Sequence, residues 1–358
     1  MTPDPQPSSN PHENIEADDN HSDADSAFAG SIGDASYTSS ISASVRNYVY
    51  ENGRRYHAFK SGEHLLPNDE REQDRMDLAH HIYLMLTGGK LYLAPIVNPQ
   101  RVLDLGTGTG KWPPFNTVGL STCSGLISII FTGIWAIDFA DEHPNAFVIG
   151  NDLSPIQPSW VPPNLQFEVD DFESDWSYSQ PFDFIHGREM EGMVKDFDRL
   201  FAQTYKYLRP GGWAEFQTIE LNCFCDDDSR TKAAAWVAWS NNLHEAARRF
   251  GKNMRTVRTW PERLKRAGFQ NVQTVVYPLP FNPWPKDPKL KEIGRYQQLH
   301  MYEGMTSYSL RLYTSVLNWK KEEVEAMLEE VRKVLKDRTC HIYTMVHFVF
   351  GQKPENAT

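Results

Sequence analysis

The feature that most constrains this chain is the stretch from Arg101 to Gly110, which reads RVLDLGTGTG. An apolar run around Leu103 leads directly into three glycines, Gly106, Gly108 and Gly110. This pattern is typical of a buried parallel strand that ends in a glycine turn. In a doubly wound α/β fold such a turn lies at the carboxyl edge of the sheet, where a ligand can approach the bare backbone and the start of the next helix. The stretch therefore predicts a nucleotide-like ligand.

The segment from Lys111 to Gly133 interrupts this pattern. A helix is expected directly after Gly110, but helical spacing and acidic character return only in IWAIDFADEHP, which begins at Ile134. Without the segment, Asp152 follows Gly110 by about 20 residues, the interval at which an acid at the end of the second strand meets ribose hydroxyls. With the segment, the interval is too long for one short helix and its loops. We therefore interpret Lys111 to Gly133 as an insertion.

The ends of the insertion indicate a genetic origin. The codons of Gly110 to Trp112 can read GGTAAGTGG, which contains a GTAAGT splice donor, and those of Thr132 and Gly133 can read ACAGG, with an AG acceptor. We hypothesise that a retained intron, in frame and without a stop codon, encodes residues 111–133. The alternative is a genuine family-specific loop. A dominant transcript that encodes these residues would rule the intron out.

Composition bounds the class of protein. The chain has 358 residues, 40% hydrophobic and 12% aromatic, which suits one large domain with additions. A formal net charge of −11 predicts no direct nucleic-acid binding. Four cysteines without zinc-ligand spacing predict no metal site and a reducing compartment, cytoplasmic or nuclear. The polar N-terminus is no secretory signal, and Val118 to Ile137 is too interrupted by Ser, Thr and Gly for a membrane span.

Three regions are predicted along the chain. Residues 1–44 are nearly empty of large apolar side chains and are predicted to be a disordered tail. Residues 45–351 form one α/β domain, and residues 352–358 a second tail. Within the domain, residues 45–95 are expected to form a helical lid over the carboxyl edge of the sheet.

The lid region contains a predicted helix from about Glu70 to Leu86. His80 and His81 suggest a metal site, but adjacent residues on a helix point to different faces and cannot readily share an ion. We therefore expect a solvated helix with packing histidines.

Beyond Asp152 the strands and helices continue in alternation. The predicted strands are Leu165–Val169, Phe182–His186, the segment WAEFQTIE after the turn RPGG, one strand in AGFQNVQTVVYPLPFNPWP, and His341–Phe350. The predicted helices are Val194–Leu208, Lys232–Phe250, Trp260–Ala267, Lys289–Leu317 and Lys320–Leu335. A stripe of aromatic and Met side chains in the fourth of these helices is assigned to the core rather than to a pocket: Tyr296, Met301, Tyr302, Met305 and Tyr308.

Taken together, LDLGTGTG, GNDLS, FEVDDFE, FDFIHGREMEG and YLRPGGWAEFQTIE, in this order, resemble the class I S-adenosylmethionine-dependent methyltransferases. The flanks YxFxxGEHLLPNDEREQDRMDLAHH and GIWAIDFADEHP are similar to the fungal LaeA-like branch, which is associated with secondary metabolism. The resemblance covers roughly residues 45–351 and departs only at the insertion. It implies a Rossmann-like α/β fold, a seven-stranded sheet with helices on both faces and an N-terminal helical lid. It also implies methyl transfer from S-adenosylmethionine to a small-molecule, secondary-metabolite or protein acceptor.

The resemblance also assigns a cofactor site. It implies that Asp104, Gly106, Gly108 and Gly110 surround the methionine and ribose parts of S-adenosylmethionine, and that Asp152 binds the ribose hydroxyls. Phosphate is absent from this cofactor, so the glycines serve close backbone approach rather than anion binding.

Four further residues complete the implied site. Asp171 would accept the adenine amino hydrogen, although an N-cap role is an open alternative for this residue. Phe172 would lie near the adenine ring and Arg188 would form the wall beside the fourth strand. Tyr56 could contact the sulfonium through cation-π attraction.

Methyl transfer asks little of acid–base groups, because the sulfonium carries an activated methyl and the enzyme mainly aligns the acceptor. An oxygen or nitrogen acceptor can still need a proton removed, for which His186, Glu189 and His64 are the candidates. Each of them has a structural role as its alternative.

Two other classes of protein remain open from the sequence. A nicotinamide-dependent oxidoreductase also uses a glycine turn and a second-strand acid, but its glycines typically read GxGxxG, and no Tyr-x-x-x-Lys pair stands out here. The second class is a non-catalytic LaeA-like regulator of secondary-metabolite genes that binds cofactor or a protein partner. No feature indicates an oligomeric state.

Overall fold

The computed structural model describes residues 15–18, 48–57, 66–108, 135–158 and 160–357. The proposed insertion, Gly110 and His64 lie outside the described residues. The described strands are β1 (Val49–Glu51), β2 (Arg54–Tyr56), β3 (Arg101–Leu105), β4 (Phe147–Asp152), β5 (Leu165–Val169), β6 (Phe182–Arg188), β7 (Leu208–Ile219), β8 (Gln270–Pro280) and β9 (Tyr343–Gln352). The α-helices are α1 (Glu70–Thr87), α2 (Trp135–Glu142), α3 (Phe197–Tyr207), α4 (Ala234–Arg249), α5 (Trp260–Arg266), α6 (Pro288–Arg311) and α7 (Lys321–Lys336).

Seven strands form one sheet in the order β5-β4-β3-β6-β7-β9-β8. The strands from β5 to β7 run parallel to one another, and β9 runs antiparallel to both of its neighbours. The strand order reverses at β3, since β4 lies on one side of it and β6 on the other. Crevices for ligands form at such a reversal, beyond the carboxyl ends of the strands. The predicted α/β, Rossmann-like seven-stranded sheet is confirmed.

Helices cover both faces of the sheet, which explains why consecutive residues in the middle of β3 are apolar. Val102 and Leu103 are both completely buried, although neighbouring side chains point to opposite faces. Val102 packs in one cluster with Phe139 of α2, whereas Leu103 packs in another with Phe201 of α3 and Trp260 of α5. The two clusters fix β3 in the middle of the molecule and its glycine turn at the edge.

Helix α1 has the bounds that the sequence predicts. Asp69 caps its start by accepting a hydrogen bond from the Glu72 backbone N–H at 3.1 Å, and Gly88 ends it in the left-handed conformation, with φ of 70°. The expectation of a solvated helix was wrong, because Glu72, Gln73 and other polar side chains of α1 are buried. Their partners lie within α1, just before it and on β2.

Before α1, the predicted helical lid begins with a β-hairpin instead. Strands β1 and β2 pair antiparallel across the two-residue turn Asn52-Gly53, where both residues have positive φ, 53° and 81°. Asn-Gly is the favoured dipeptide for such a turn. The signal was therefore present in the sequence and was overlooked.

The tail boundaries also need correction. Ile15–Asp18 lies within the predicted disordered tail, yet Ala17 forms a β-bridge with Pro285, and the Asp18 N–H donates to the Trp284 carbonyl at 2.9 Å. Ile15 and Ala17 supply apolar contacts to the cluster around Trp284. Hence these four residues have enough partners to be ordered.

At the other end, β9 continues to Gln352 and Lys353 is buried, so the domain extends past residue 351. The RPGG segment, expected as a turn, lies inside β7, which begins at Leu208. None of the described helices is both long and apolar enough to cross a membrane.

Candidate active site

A cavity opens at the carboxyl edge of the sheet, beside the reversal at β3. Its first side, here called the strand wall, comes from the ends of β3, β4 and β6 and from the loops that follow these strands and β5. The members of the strand wall that were predicted from the sequence are Asp104, Gly106, Gly108, Asp152, Phe172, His186, Arg188 and Glu189.

The glycine turn has a backbone that side chains rarely adopt. The φ angles of Gly106 and Gly108 are +64° and +67°. A Cβ atom at Gly106 would lie 3.3 Å from the Phe172 ring, and one at Gly108 would lie 3.4 Å from the Met76 sulfur. Glycine therefore serves the conformation of the turn at both positions, and at Gly106 also the close approach of Phe172.

Asp152 holds this turn at the tip of β4. Its Oδ2 atom accepts a hydrogen bond from the Gly108 N–H at 2.9 Å, and Oδ1 accepts one from the Ser154 N–H at 3.0 Å. Burial raises the pKa of Asp152 to about 6, and the nearby Asp104 adds to the rise. A carboxylate has about four lone-pair sites, so two remain for a ligand.

Asp104 and His186 form a buried pair at the tips of β3 and β6. His186 Nδ1 lies 2.7 Å from Asp104 Oδ1, and Thr107 Oγ1 donates to Asp104 Oδ2 at 2.7 Å. The imidazole stacks on the Trp135 ring, with the centroids 3.8 Å apart. Burial lowers the pKa of His186 and keeps the ring neutral, so the N–H at Nδ1 faces the carboxylate. Nε2 is buried and has no hydrogen-bond partner in the described part of the chain.

Arg188 connects the end of β6 to α1. Its Nη1 atom donates to His80 Nδ1 at 2.8 Å, its Nε atom donates to Gln217 Oε1 at 3.0 Å, and its guanidinium lies over the Tyr83 ring. His80 also contacts Asp138 of α2, with 2.9 Å between Nε2 and Oδ2. The histidine therefore joins α1, α2 and β6, which is more than the packing role expected for it.

Glu189 follows Arg188 with a positive φ of 55°, which is uncommon for a residue with a side chain. Its Oε1 atom accepts hydrogen bonds from the Tyr83 hydroxyl and from the Ile219 N–H. Burial raises the pKa of Glu189. Both bonds hold the carboxyl group in place at the edge of the cavity.

Sequence reasoning missed the contribution of α1 to the cavity. Glu72 Oε1 accepts hydrogen bonds from Arg75 at 2.9 and 2.6 Å, and Arg75 in turn reaches His300 and the Tyr308 hydroxyl of α6. All four side chains line the cavity. The charged run NDEREQDRMD resembles a solvated helix face, and only the spacing of Glu72 and Arg75 by three residues indicated an ion pair.

Helices α4 and α6 form the opposite side of the cavity, here called the helix wall. Its main members are Trp236, Trp239, Leu243, Gln297, His300 and Met301. The assignment of the α6 stripe to the core is right for Met305, which is completely buried in the largest cluster. It is incomplete for Met301 and Tyr308, which also line the cavity.

Two predicted site residues lie away from the cavity. The Asp171 carboxylate accepts hydrogen bonds from the Glu173 N–H at 2.9 Å and the Ser174 hydroxyl at 3.0 Å, which closes a turn, and no described helix begins here, so the alternative role as a helix N-cap is wrong. Tyr56 is buried in β2, and its ring faces the Arg311 guanidinium, which is 4.8 Å from the centroid. Neither lines the cavity, so the sulfonium contact assigned to Tyr56 is corrected.

The strand order, the antiparallel seventh strand of the sheet and the glycine turn define a class I methyltransferase fold. A family model described as a methyltransferase domain matches residues 78–274. The chain belongs to this family of S-adenosylmethionine-dependent enzymes. Three fungal relatives show the resemblance.

Methyltransferase pytC of Aspergillus terreus is 37% identical over 328 residues, which cover 91% of this chain and 94% of the relative. The secondary metabolism regulator LAE1 of Cochliobolus heterostrophus is 34% identical, over 88% and 97% of the two chains. The protein-methionine methyltransferase laeA of Emericella nidulans is 32% identical, over 87% and 78%. The expected LaeA-like resemblance is confirmed, and nothing in these matches supports a nicotinamide-dependent oxidoreductase.

Proposed function

We propose that the strand wall binds S-adenosylmethionine and that the chain transfers its methyl group to an acceptor in the same cavity. The observation that carries this proposal is the convergence of Gly106, Gly108, Asp152 and Phe172, from three separate segments, on one hollow. Gly106 and Gly108 would face the methionine part, with Asp104 behind them and Arg188 at the side. Asp171 remains the proposed partner of the adenine amino group, and to reach it the carboxylate must release its bonds to Glu173 and Ser174.

The residues present fit this cofactor. A ribose offers two neighbouring hydroxyl donors, and the Asp152 carboxylate keeps lone pairs free beside its two backbone donors. An adenine ring needs a flat apolar contact, which the Phe172 ring can supply. The bare backbone at Gly108 suits a ligand that must pass close to the chain.

When bound, S-adenosylmethionine supplies a methyl group that is already activated for in-line displacement. The work left to the protein is to hold the acceptor close and aligned and to exclude water. The helix wall, with Trp236, Trp239 and Met301, faces the strand wall and provides an apolar surface for this purpose.

His186 is the proposed general base for an acceptor with a proton to lose. Asp104 fixes the tautomer with the proton on Nδ1, which leaves a neutral Nε2 as the acceptor. Glu189 is a weaker candidate because Tyr83 and Ile219 already donate to its carboxyl group. His64 remains a prediction from the sequence.

The variant His186→Gln tests this role. We expect it to retain affinity for S-adenosylhomocysteine and to lower kcat at pH 7 by about 10²-fold, a typical contribution of general-base catalysis. Raising the pH should recover part of the rate, since the acceptor then loses its proton unaided. A uniform loss across the pH range would show that His186 has a structural role.

Calorimetry and labelling test the function as a whole. The protein is titrated with S-adenosylmethionine, S-adenosylhomocysteine and nicotinamide dinucleotides, then incubated with methyl-labelled S-adenosylmethionine and a native fungal extract. We expect selective binding of the two sulfur compounds and label transfer to a small molecule or a protein. Binding without any transfer would instead favour a regulator, and failure to bind either sulfur compound would contradict the proposal.

A further inference from the structure

The helix wall contains a buried polar group that the methyl-donor site does not use. Gln297 of α6 lines the cavity and is 0% exposed. Neither its Oε1 atom nor its Nε2 atom has a hydrogen-bond partner in the described part of the chain. A buried amide without partners costs free energy, because it has lost its hydrogen bonds to water. A ligand that forms hydrogen bonds with this amide would remove the cost.

Apolar side chains line the same cavity as this amide. Trp236 and Phe281 contact each other, with ring centroids 4.3 Å apart, and Trp236 packs edge-on against Trp239 at 5.1 Å. All three rings line the cavity together with Met254. A ligand here would be held between flat aromatic and flexible Met surfaces, which favours a ring system.

Two carboxylates near this wall are ion-paired within the protein. Glu72 pairs with Arg75, and Glu220 pairs with Arg258 at 2.8 Å and with His347 at 2.9 Å. A third, Glu191, accepts hydrogen bonds from the Thr256 N–H and hydroxyl, and burial raises its pKa to about 7. The imidazoles that share the helix wall are neutral, since burial lowers the pKa of His244 to about 4 and that of His300 well below its usual value. The wall therefore offers little fixed charge to a ligand, so an uncharged ligand is favoured.

The geometry points to an acceptor site for an uncharged ring molecule that carries an amide-type edge, that is, an N–H donor beside a carbonyl, as in a lactam. The primary amide of Gln297 presents a donor and an acceptor side by side and can form two parallel hydrogen bonds with such an edge. The unpartnered Nδ1 atom of His300, one turn away on α6, offers a further polar contact. This inference rests on the proposed function in one respect, because it takes S-adenosylmethionine to be bound at the strand wall.

Two leucine substitutions test the site with matched chemistry. Gln297→Leu removes the amide from the cavity. Gln298→Leu makes the same change at the next position, where the side chain bonds the Leu335 carbonyl at 2.8 Å instead. Each protein is saturated with S-adenosylhomocysteine and titrated with 2-quinolone, a neutral bicyclic lactam, and binding is followed by Trp fluorescence and calorimetry. N-methyl-2-quinolone lacks the N–H donor, and quinoline-2-carboxylate carries a charge.

We expect the wild-type protein and Gln298→Leu to bind 2-quinolone, and Gln297→Leu to bind it at least about tenfold more weakly, since two hydrogen bonds are lost. N-methyl-2-quinolone should bind weakly to all three proteins, and the carboxylate should not bind. Thermal unfolding should show Gln297→Leu to be as stable as the wild type or more so, because an unsatisfied amide is removed. A purely structural Gln297 would give a less stable variant.

The outcomes separate this inference from the proposed function. If the wild-type protein does not bind S-adenosylhomocysteine, the methyl-donor site is refuted. Intact S-adenosylhomocysteine binding with equal lactam affinity in both leucine variants would overturn the acceptor site alone. Binding of a methionine-containing peptide, but not of the lactam, would assign the cavity to a protein side chain and would overturn it as well.

Discussion

Gly108 combines two constraints in one residue. Its φ of +67° excludes most side chains, and its N–H donates to Asp152. We predict that Gly108→Val abolishes S-adenosylhomocysteine binding, because the side chain occupies the path of the ligand and displaces the turn from Asp152. Calorimetry measures the affinity. The matched control is Gly251→Val, which has a similar strain at φ +90° but open space around it. Both variants should lose stability, and only Gly108→Val should lose affinity.

Asp152 makes cofactor binding dependent on pH. Its pKa is about 6 because of burial, so the carboxylate is ionised at pH 7 and becomes protonated as the pH falls through 6. Only the ionised form can accept from both ribose hydroxyls and both backbone N–H groups. We predict that S-adenosylhomocysteine affinity is constant above about pH 7 and falls by up to about tenfold per pH unit below pH 6. Calorimetry between pH 5 and 8 checks this profile.

Asp152→Ala provides the control for that profile. The variant should bind S-adenosylhomocysteine about 1–3 kcal/mol more weakly at pH 7, through the loss of charged hydrogen bonds. Its affinity should vary little between pH 5 and 8. An unchanged affinity at pH 7, or a retained drop below pH 6, would remove Asp152 from the site.

The sequence predicted residues of the strand wall because strand ends and glycines have local patterns. Gly106, Gly108, Asp152 and Phe172 all line the cavity. Residues of the helix wall have no such pattern. Gln297 lies in an ordinary helix, and it becomes part of a site only because α4, about 50 residues earlier in the chain, lines the same cavity. Long-range packing decides which face of α6 meets the ligand, and local sequence patterns do not show that packing.

At the scale of elements, the parallel strands β5 and β6 were predicted closely, whereas β1 and β2 were missed and β7 begins before its predicted start. Strand β5 has the predicted bounds, Leu165–Val169, and β6 extends two residues past its predicted end at His186. A buried parallel strand is an uninterrupted apolar run, so its ends are visible in the sequence. Helix α1 was predicted in extent but not in burial, because some of its polar residues have partners that are remote in sequence, such as the Tyr308 hydroxyl, which Arg75 contacts at 2.9 Å.

The segment between β3 and α2 gives a prediction about an element. Helix α2 begins at Trp135, immediately after the proposed insertion. Deleting Lys111 to Gly133 should raise both the S-adenosylhomocysteine affinity and the melting temperature, because α2 would then follow the glycine turn directly. Calorimetry and differential scanning fluorimetry measure the two effects. A deletion protein that is less stable and binds more weakly would refute the retained-intron hypothesis.

At the scale of the whole molecule, Ile15–Asp18 joins the first residues of the chain to its carboxyl third. Besides the backbone bonds to Trp284 and Lys286, Asp18 pairs with Lys291 of α6. We predict that removal of residues 1–18 lowers the melting temperature by a few degrees, as expected for a loss of about 1 kcal/mol. Removal of residues 1–14 is the control and should leave it unchanged. Equal melting temperatures for the two truncations would show that these contacts contribute nothing.

The pairing of Ile15–Asp18 with the segment around Trp284 has one more consequence. Residues 19–47 tether it to β1, so it meets its partner at a high effective concentration. A single proteolytic cut within the tether would convert an intramolecular contact into a bimolecular one, which four residues are too few to maintain at cellular concentrations. Cleavage would thus release the first residues of the chain and leave the surface of Trp284 free, while the sheet and its cavity stay intact.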